Sequence, residues 1–198
     1  SFYRFGEIQK NQEIADLLEN IAEQGVDYFY KGKVAKQIVD LINDRGGCFD
    51  VSDMESYEPK FREPVKTTYR GYEVAAFAPP SGGCALVEML NILENYDVRS
   101  MGHNTAASIH ALTESMKLGF ADRSVALGDP DFVNVDVERL TSKKFAHERF
   151  TLAGEKAGEF ASADGIEAKQ YPGNTSHFVV MDKDGNAFSQ TQTIRDWF

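Results

Sequence analysis

The sequence predicts an α+β chain that is mostly helical and closes on one β-hairpin. Three observations carry this prediction. Apolar residues recur at helical spacing through residues 1–150, with glycines and capping residues where helices should stop and start. Between 174 and 194 the pattern changes to two runs rich in β-branched and aromatic residues, which flank the turn signal Asp182-Lys183-Asp184-Gly185-Asn186. Hydrophobic residues make up 42% and charged residues 26%, the balance of a globular protein.

The elements follow in order. Ile14, Leu17, Leu18 and Ile21 mark a first helix that Gly25 should stop. Val34, Ile38, Leu41 and Ile42 mark a second, ended by Gly46-Gly47. Ser52-Asp53-Met54-Glu55 fits a capping box, so a short third helix is predicted to begin there. Pro59 and Pro64 bracket an extended passage, and two short strands follow at 65–69 and 72–77, joined at Arg70-Gly71. Pro79-Pro80-Ser81-Gly82-Gly83 opens a helix with Leu86, Leu90 and Leu93 on one face. Asn104 or Thr105 caps a longer helix predicted to turn Ile109, Leu112, Met116 and Phe120 inward. After a turn at Gly128-Asp129-Pro130-Asp131, Thr141 or Ser142 starts a last helix that ends near Phe150. From 153 to 173 the chain is small, polar and Gly-rich, the pattern of a linker or exposed loop.

At 198 residues the chain is long enough for one ordinary domain with a real core. Its net charge of −10 argues against non-specific nucleic-acid binding, and no apolar run approaches the roughly 18 residues of a membrane span. It begins at Ser1, without Met or a signal-peptide pattern, so a processed or trimmed start is expected. Cys48 and Cys84 are too few for a disulfide framework and lack zinc spacing; two small buried thiols are expected.

The hairpin has the most chemistry in it. A three-residue loop, Lys183 to Gly185, sets Asp182 opposite Asn186. Pairing then runs outward as Val179 with Ser189, His177 with Thr191 and Thr175 with Thr193. Opposed residues share a face with Cβ atoms about 4.5–5.5 Å apart, so two threonine hydroxyls should meet at the open end. A slip of one residue would separate them.

The run Thr175-Ser176-His177-Phe178, followed by Asp182-Lys183-Asp184-Gly185-Asn186-Ala187, resembles the start of the small subunit of the γ-glutamyltranspeptidases, which are N-terminal-nucleophile (Ntn) hydrolases. Ile21-Ala22-Glu23-Gln24-Gly25, Asp27-Tyr28-Phe29-Tyr30-Lys31-Gly32, Tyr69-Arg70-Gly71-Tyr72, Pro79-Pro80-Ser81-Gly82-Gly83, Leu90-Asn91-Ile92-Leu93-Glu94, Ala121-Asp122-Arg123-Ser124 and Leu127-Gly128-Asp129-Pro130-Asp131-Phe132 resemble segments of the large subunit in the same order. The resemblance covers nearly the whole chain. It implies the αββα sandwich of the Ntn hydrolases, with 1–152 as a mainly helical large-subunit part, 153–174 as a linker to a processing site, and 175–198 as the start of the small-subunit sheet.

It also implies a chemistry. Family precursors are cut just before a Thr that becomes the nucleophile; the matching position is Thr175, with Asn174–Thr175 as the bond cut. A second family Thr, which hydrogen-bonds the first, lies eighteen positions on, where Thr193 stands. The freed α-amine titrates near 7.7–8.0 and acts as the base. The reaction implied is transfer of a γ-glutamyl group from a small-molecule amide such as glutathione to water or an amine. It needs no metal or organic cofactor. The expected partners are that substrate, its acceptor and the remainder of the enzyme's own large and small subunits, with no nucleic acid and no membrane span. Family chains extend beyond both ends of this one and supply the substrate-carboxylate Arg, the Ser-Ser pair and the Gly-Gly oxyanion hole, so this stretch alone should be inactive. Many members are extracytoplasmic.

One residue departs from the pattern. Two positions after the second Thr the family carries an Asn that contacts the glutamyl group; here it is Arg195. An Arg can pair with a carboxylate, which is compatible with a shifted substrate, as in the cephalosporin (glutaryl) acylases or enzymes acting on poly-γ-glutamate. An unprocessed, non-catalytic scaffold is the reading from another class.

Other candidates have plainer readings. His177 is expected to bond Thr191 or backbone. His110 and Glu114 read as a helix-surface pair. Asp182 and Asp184 belong to a turn, because the later ligands of a calcium loop are missing. Pro79 to Gly83 lacks the Lys of a phosphate loop and reads as a backbone feature.

Overall fold

The computed structural model describes residues 4–164 and 174–195. The chain divides into two units, Ser1–Phe61 and Arg62–Phe198.

The first unit holds α1 (Gln12–Gln24), α2 (Asp27–Tyr30), α3 (Lys33–Asp44) and α4 (Val51–Glu55). The Asn11 side chain accepts from Ile14 N at 3.1 Å and starts α1. Gly25, at φ +82°, ends it in a conformation that side chains resist. Gly46, at φ +85°, follows α3. The cap of α4 lies earlier than predicted. Asp50 accepts from Ser52 N at 2.9 Å, and Asp53 accepts from Asp50 N at 2.8 Å. The box is therefore Asp-x-x-Asp and begins two residues before Ser52. Ala35, Val39 and Met54 form the core, ringed by Phe29, Tyr30, Ile38, Phe49 and Val51. Cys48 is exposed and only Cys84 is buried, which corrects the expectation of two buried thiols.

The second unit opens on the antiparallel pair β1 (Val65–Tyr69) and β2 (Tyr72–Ala76). Arg70 and Gly71 both have positive φ, as a two-residue hairpin turn with the twist of its strands requires. Then come α5 (Gly83–Leu93), α6 (Val98–Met101), α7 (Ala106–Ala126), α8 (Val137–Thr141) and α9 (Lys143–Phe150). The one-turn helices α2, α6 and α8 are too short for periodicity to have marked them. Thr105 caps α7 and Ser142 caps α9, in line with the predicted starts. Helix α5 packs against β1, α7, α8 and α9. One core cluster joins Val65, Cys84, Val87, Leu140 and Phe145; another joins Ile92, Leu118 and Ala146, with Phe150 and Phe160 against it.

The inward faces of the two main helices differ from prediction. On α5 the buried residues are Gly83, Cys84, Ala85, Val87, Glu88, Asn91 and Ile92, while Leu90 and Leu93 are half-buried and Leu86 is exposed. On α7, Ile109, Leu112, Met116 and Phe120 are 52%, 49%, 40% and 48% exposed. Its buried residues are Ala111, Glu114, Ser115, Leu118, Gly119, Ala121 and Asp122. The reason is steric. The helices meet at Gly119, where an added Cβ would lie 2.6 Å from Met89 Cγ. Gly119 permits that approach, and Ile109, Leu112, Met116 and Phe120 are left on the other face.

The last elements, β3 (Asn174–Met181) and β4 (Ala187–Arg195), pair antiparallel with each other. Among the described residues the chain is thus mainly helical with a C-terminal strand pair, and no helix is long and apolar enough to cross a membrane.

Candidate functional site

The hairpin is built from its turn outward. Asp182 N donates to Asn186 O at 3.0 Å, and Gly185 N donates to Asp182 O at 3.2 Å, leaving Lys183 to Gly185 as the loop. Gly185 sits at φ +84°, the left-handed position that such a loop reserves for glycine. The Asp182 carboxylate accepts from Asp184 N, Asn186 N and Asn186 Nδ2 at 2.8–2.9 Å. The Asn186 side chain, then its backbone N–H, hold that carboxyl below the usual aspartate range.

The predicted register then holds for most of the strand: Met181 pairs with Ala187, Val179 with Ser189, His177 with Thr191 and Ser176 with Gln192. His177 Nδ1 lies 2.7 Å from Thr191 Oγ1, and its Nε2 lies 3.3 Å from Ser189 Oγ. This is the structural role expected of the ring, fixed between its direct and diagonal neighbours.

Beyond Ser176 the register shifts, and Asn174 pairs with Arg195. On β3 only Thr175 lies between these pairs; on β4 both Thr193 and Ile194 do. The predicted one-to-one pair of Thr175 with Thr193 is therefore replaced by a bulge, in which Thr175 faces two residues together. A bulge raises the local twist and re-aims side chains, a change that the even alternation of the sequence could not signal. It also sets the backbone of Arg195 across from Asn174. Phe178, Val179, Val180, Met181 and Phe188 are all exposed, so apolar side chains stand on both faces of the hairpin.

A second constellation escaped the sequence reading. Glu88, Glu114 and Asp122 are each 1% exposed and Arg149 is 6% exposed. Burial pushes the Glu88 carboxyl up to about 9, helped by contact with Asp122 and its charge and opposed by Arg149 and Arg139. Arg149 Nε lies 2.7 Å from Asp122 Oδ2. These groups face the segment 154–164, the first half of the stretch that composition marks as a loop. Gly158 N donates to Glu114 Oε2 at 2.9 Å, and His110 Nε2 donates to Gly154 O at 2.8 Å. His110 and Glu114 are thus not a surface pair. The signal was available in the sequence as acidic residues among small ones at helical spacing, Glu88, Glu114 and Asp122, where solvent-facing charges and buried ones look alike.

With this geometry in place, comparison with known proteins is decisive. The family model for gamma-glutamyltranspeptidase matches residues 1–198, the whole chain. The chain belongs to the γ-glutamyltranspeptidase family.

Among curated relatives, the glutathione hydrolase proenzyme of Pseudomonas sp. (strain A14) is 37% identical over 195 residues, 98% of this chain and 34% of that protein. The Acylase ACY 1 proenzyme of Pseudomonas sp. (strain SE83) is 40% identical over 187 residues, 94% of this chain and 33% of that protein. This family chain therefore spans about a third of the length of the curated relatives it matches. Among solved structures, Helicobacter pylori gamma-glutamyltranspeptidase aligns with a TM-score of 0.71 at 34% identity, over 84% of this chain and 47% of that one. Cephalosporin acylase from Bacillus halodurans aligns with a TM-score of 0.78 at 32% identity, over 94% and 33%. The fold is accordingly of the Ntn-hydrolase type, here a mixed helical portion with the C-terminal strand pair.

Proposed function

We propose that the protein of which this chain is the central part is a γ-glutamyltranspeptidase-type enzyme that makes its nucleophile by cutting itself before Thr175. The supporting observation is that a family match over the whole chain coincides with a strand that starts at Asn174–Thr175 and has Thr193 on the strand beside it. Residues 1–152 would then belong to the large subunit, 153–174 to the linker and 175–198 to the small subunit.

In the precursor the Thr175 hydroxyl attacks the Asn174 carbonyl and an N→O shift gives an ester. Water hydrolyses the ester, releasing the Asn174 carboxylate and the Thr175 α-amine. That amine takes the hydroxyl proton as Thr175 attacks a γ-glutamyl amide and returns a proton to the leaving amine. Water or an acceptor amine then resolves the acyl-enzyme. Thr193 orients the hydroxyl in both stages. The substrate class is γ-glutamyl amides such as glutathione, and the remainder of both subunits completes the site. Arg195 together with the 40% identity to an acylase proenzyme favours a glutaryl-type amide as the second reading.

Intact mass and N-terminal sequencing of the full-length protein, wild type beside Thr175→Ala, test the proposal. The expected result is two fragments in the wild type alone, the smaller beginning Thr-Ser-His-Phe. A folded wild type that stays in one piece would point to the non-catalytic scaffold. A γ-glutamyl-anilide assay against a glutaryl amide separates the two substrates.

A further inference from the structure

The chemistry above uses none of the charged groups buried between α5, α7 and α9, and these do not balance. Glu88, Asp122 and Arg149 lie together at 1%, 1% and 6% exposure, two acids beside one guanidinium. Arg149 Nε sits 2.7 Å from Asp122 Oδ2, so that pair is neutral. A second carboxylate there would be a buried charge with only the half-exposed Arg139 left to answer it, which is costly in an interior. Among the described residues no donor reaches Glu88 Oε1. Glu88 therefore keeps its proton and shares it with Asp122, in keeping with a carboxyl pushed up to about 9, chiefly by burial.

The groups that face Glu88 come from four elements. Cys84 stands one turn before it on α5, its thiol pushed up by burial and then by the charge of Glu88. Asp122 faces it from α7, Arg139 from α8 and Arg149 from α9. Lys66 of β1 and Glu73 of β2 are exposed and pair with each other at 3.7 Å. Glu114 and Lys117, further back on α7, pair with each other at 2.8 Å.

Asp122, Arg139 and Arg149 also hold one stretch of chain. Arg149 Nη2 donates to Ala161 O at 2.7 Å, Asp122 Oδ1 accepts from Ala163 N, and Arg139 pairs with Asp164 at 3.6 Å. The residues before them are held by other groups: Gly154 by His110, and Gly158 by Glu114 and Lys117. Segment 154–164 thus has two sets of anchors, and only the second set faces Glu88.

We propose that Glu88 is a proton-operated latch for residues 161–164, closed while it holds its proton and released when it ionises. The inference is independent of the proposed cleavage and of the substrate. With the proton gone, the Glu88 carboxylate repels Asp122 and draws Arg149 and Arg139 toward itself. Ala161 C=O, Ala163 N–H and Asp164 then lose their partners together, while Gly154 and Gly158 keep theirs. In the released form Glu88 ionises in the ordinary carboxyl range; in the fastened form it does not. Rising pH therefore favours release, from that range until Glu88 ionises even when the segment is fastened.

Amide hydrogen exchange of the full-length protein tests this, read by residue-resolved mass spectrometry between about pH 6 and pH 9 in wild type and Glu88→Gln. Glutamine keeps a donor toward Asp122 and cannot ionise. Comparing the two proteins at each pH cancels the intrinsic pH dependence of exchange. Protection over 161–164 in the wild type, relative to Glu88→Gln, is expected to fall by about 10-fold or more across that range. Protection at Gly158 is expected to keep its ratio. A ratio over 161–164 that does not change with pH would overturn the inference, as would equal losses at Gly158 and Ala163. If Glu88→Gln does not fold, the wild type decides alone. Its protection at Ala163 is then expected to fall relative to Gly158 as pH rises, and a constant ratio would overturn the latch.

Discussion

Glu88 shows how much one side chain depends on its surroundings. It sits on α5 at 1% exposure, and its carboxyl is pushed from the ordinary 4.5 up to about 9, chiefly by burial. An acid whose folded pKa exceeds its unfolded one keeps a proton that the unfolded chain releases. Stability from this group is therefore full below about 4.5 and falls as pH rises toward 9, by at most about 1.4 kcal/mol per pH unit. Glu88→Gln keeps a donor and removes the titration. Its stability relative to wild type is expected to be least near pH 5 and to grow steadily toward pH 9. Urea unfolding across that range measures the trend, and a difference that does not change with pH would mean that Glu88 is ionised in the folded protein.

At the scale of elements, close backbone approach decides more than hydrophobicity. The N-terminus of α5 rests against the chain at Phe77, and a Cβ on Gly83 would overlap the Phe77 carbonyl oxygen. Backbone cannot yield as a flexible side chain can. Gly83→Ala is therefore expected to cost about 1–3 kcal/mol or more, read as a lower midpoint in denaturant melts. Unchanged stability would show that the β2–α5 connection can shift. The same principle explains α7, whose apolar stripe at Ile109, Leu112, Met116 and Phe120 faces outward because Ala111, Ser115 and Gly119 are what fit against α5. The hairpin obeys the opposite logic: a local turn fixes it, and its register follows from Gly185 and Asp182 until the bulge at Thr175.

For the whole molecule, the family match places this chain in an enzyme family whose relatives are about three times as long. Their names divide between glutathione hydrolases and acylases. Arg195 is the residue at which this sequence departs from the glutamyl-contacting Asn that the family resemblance implies. If it directs substrate choice, Arg195→Asn in the full-length enzyme should raise the ratio of kcat/KM for γ-glutamyl over glutaryl amides by about 10-fold or more, the usual scale for one polar contact. Paired assays measure the ratio; an unchanged value would remove Arg195 from the account of specificity.

The sequence by itself determined what local chemistry determines: the caps at Thr105 and Ser142 to within a residue, the glycine stops, both hairpin turns, the register from Met181 to Ser176, and the family, through short ordered motifs. Backbone conformation and neighbouring hydrogen bonds settle these within a few residues. Tertiary structure alone decided which face of α5 and α7 is buried, that Thr175 meets a shift of register, and that residues 154–164 are bonded by buried Glu114 and Asp122 of α7 and Arg149 of α9. Periodicity reports that a helix has two faces. Which one is covered depends on the size and hydrogen bonding of residues distant in the chain, and no local pattern contains them.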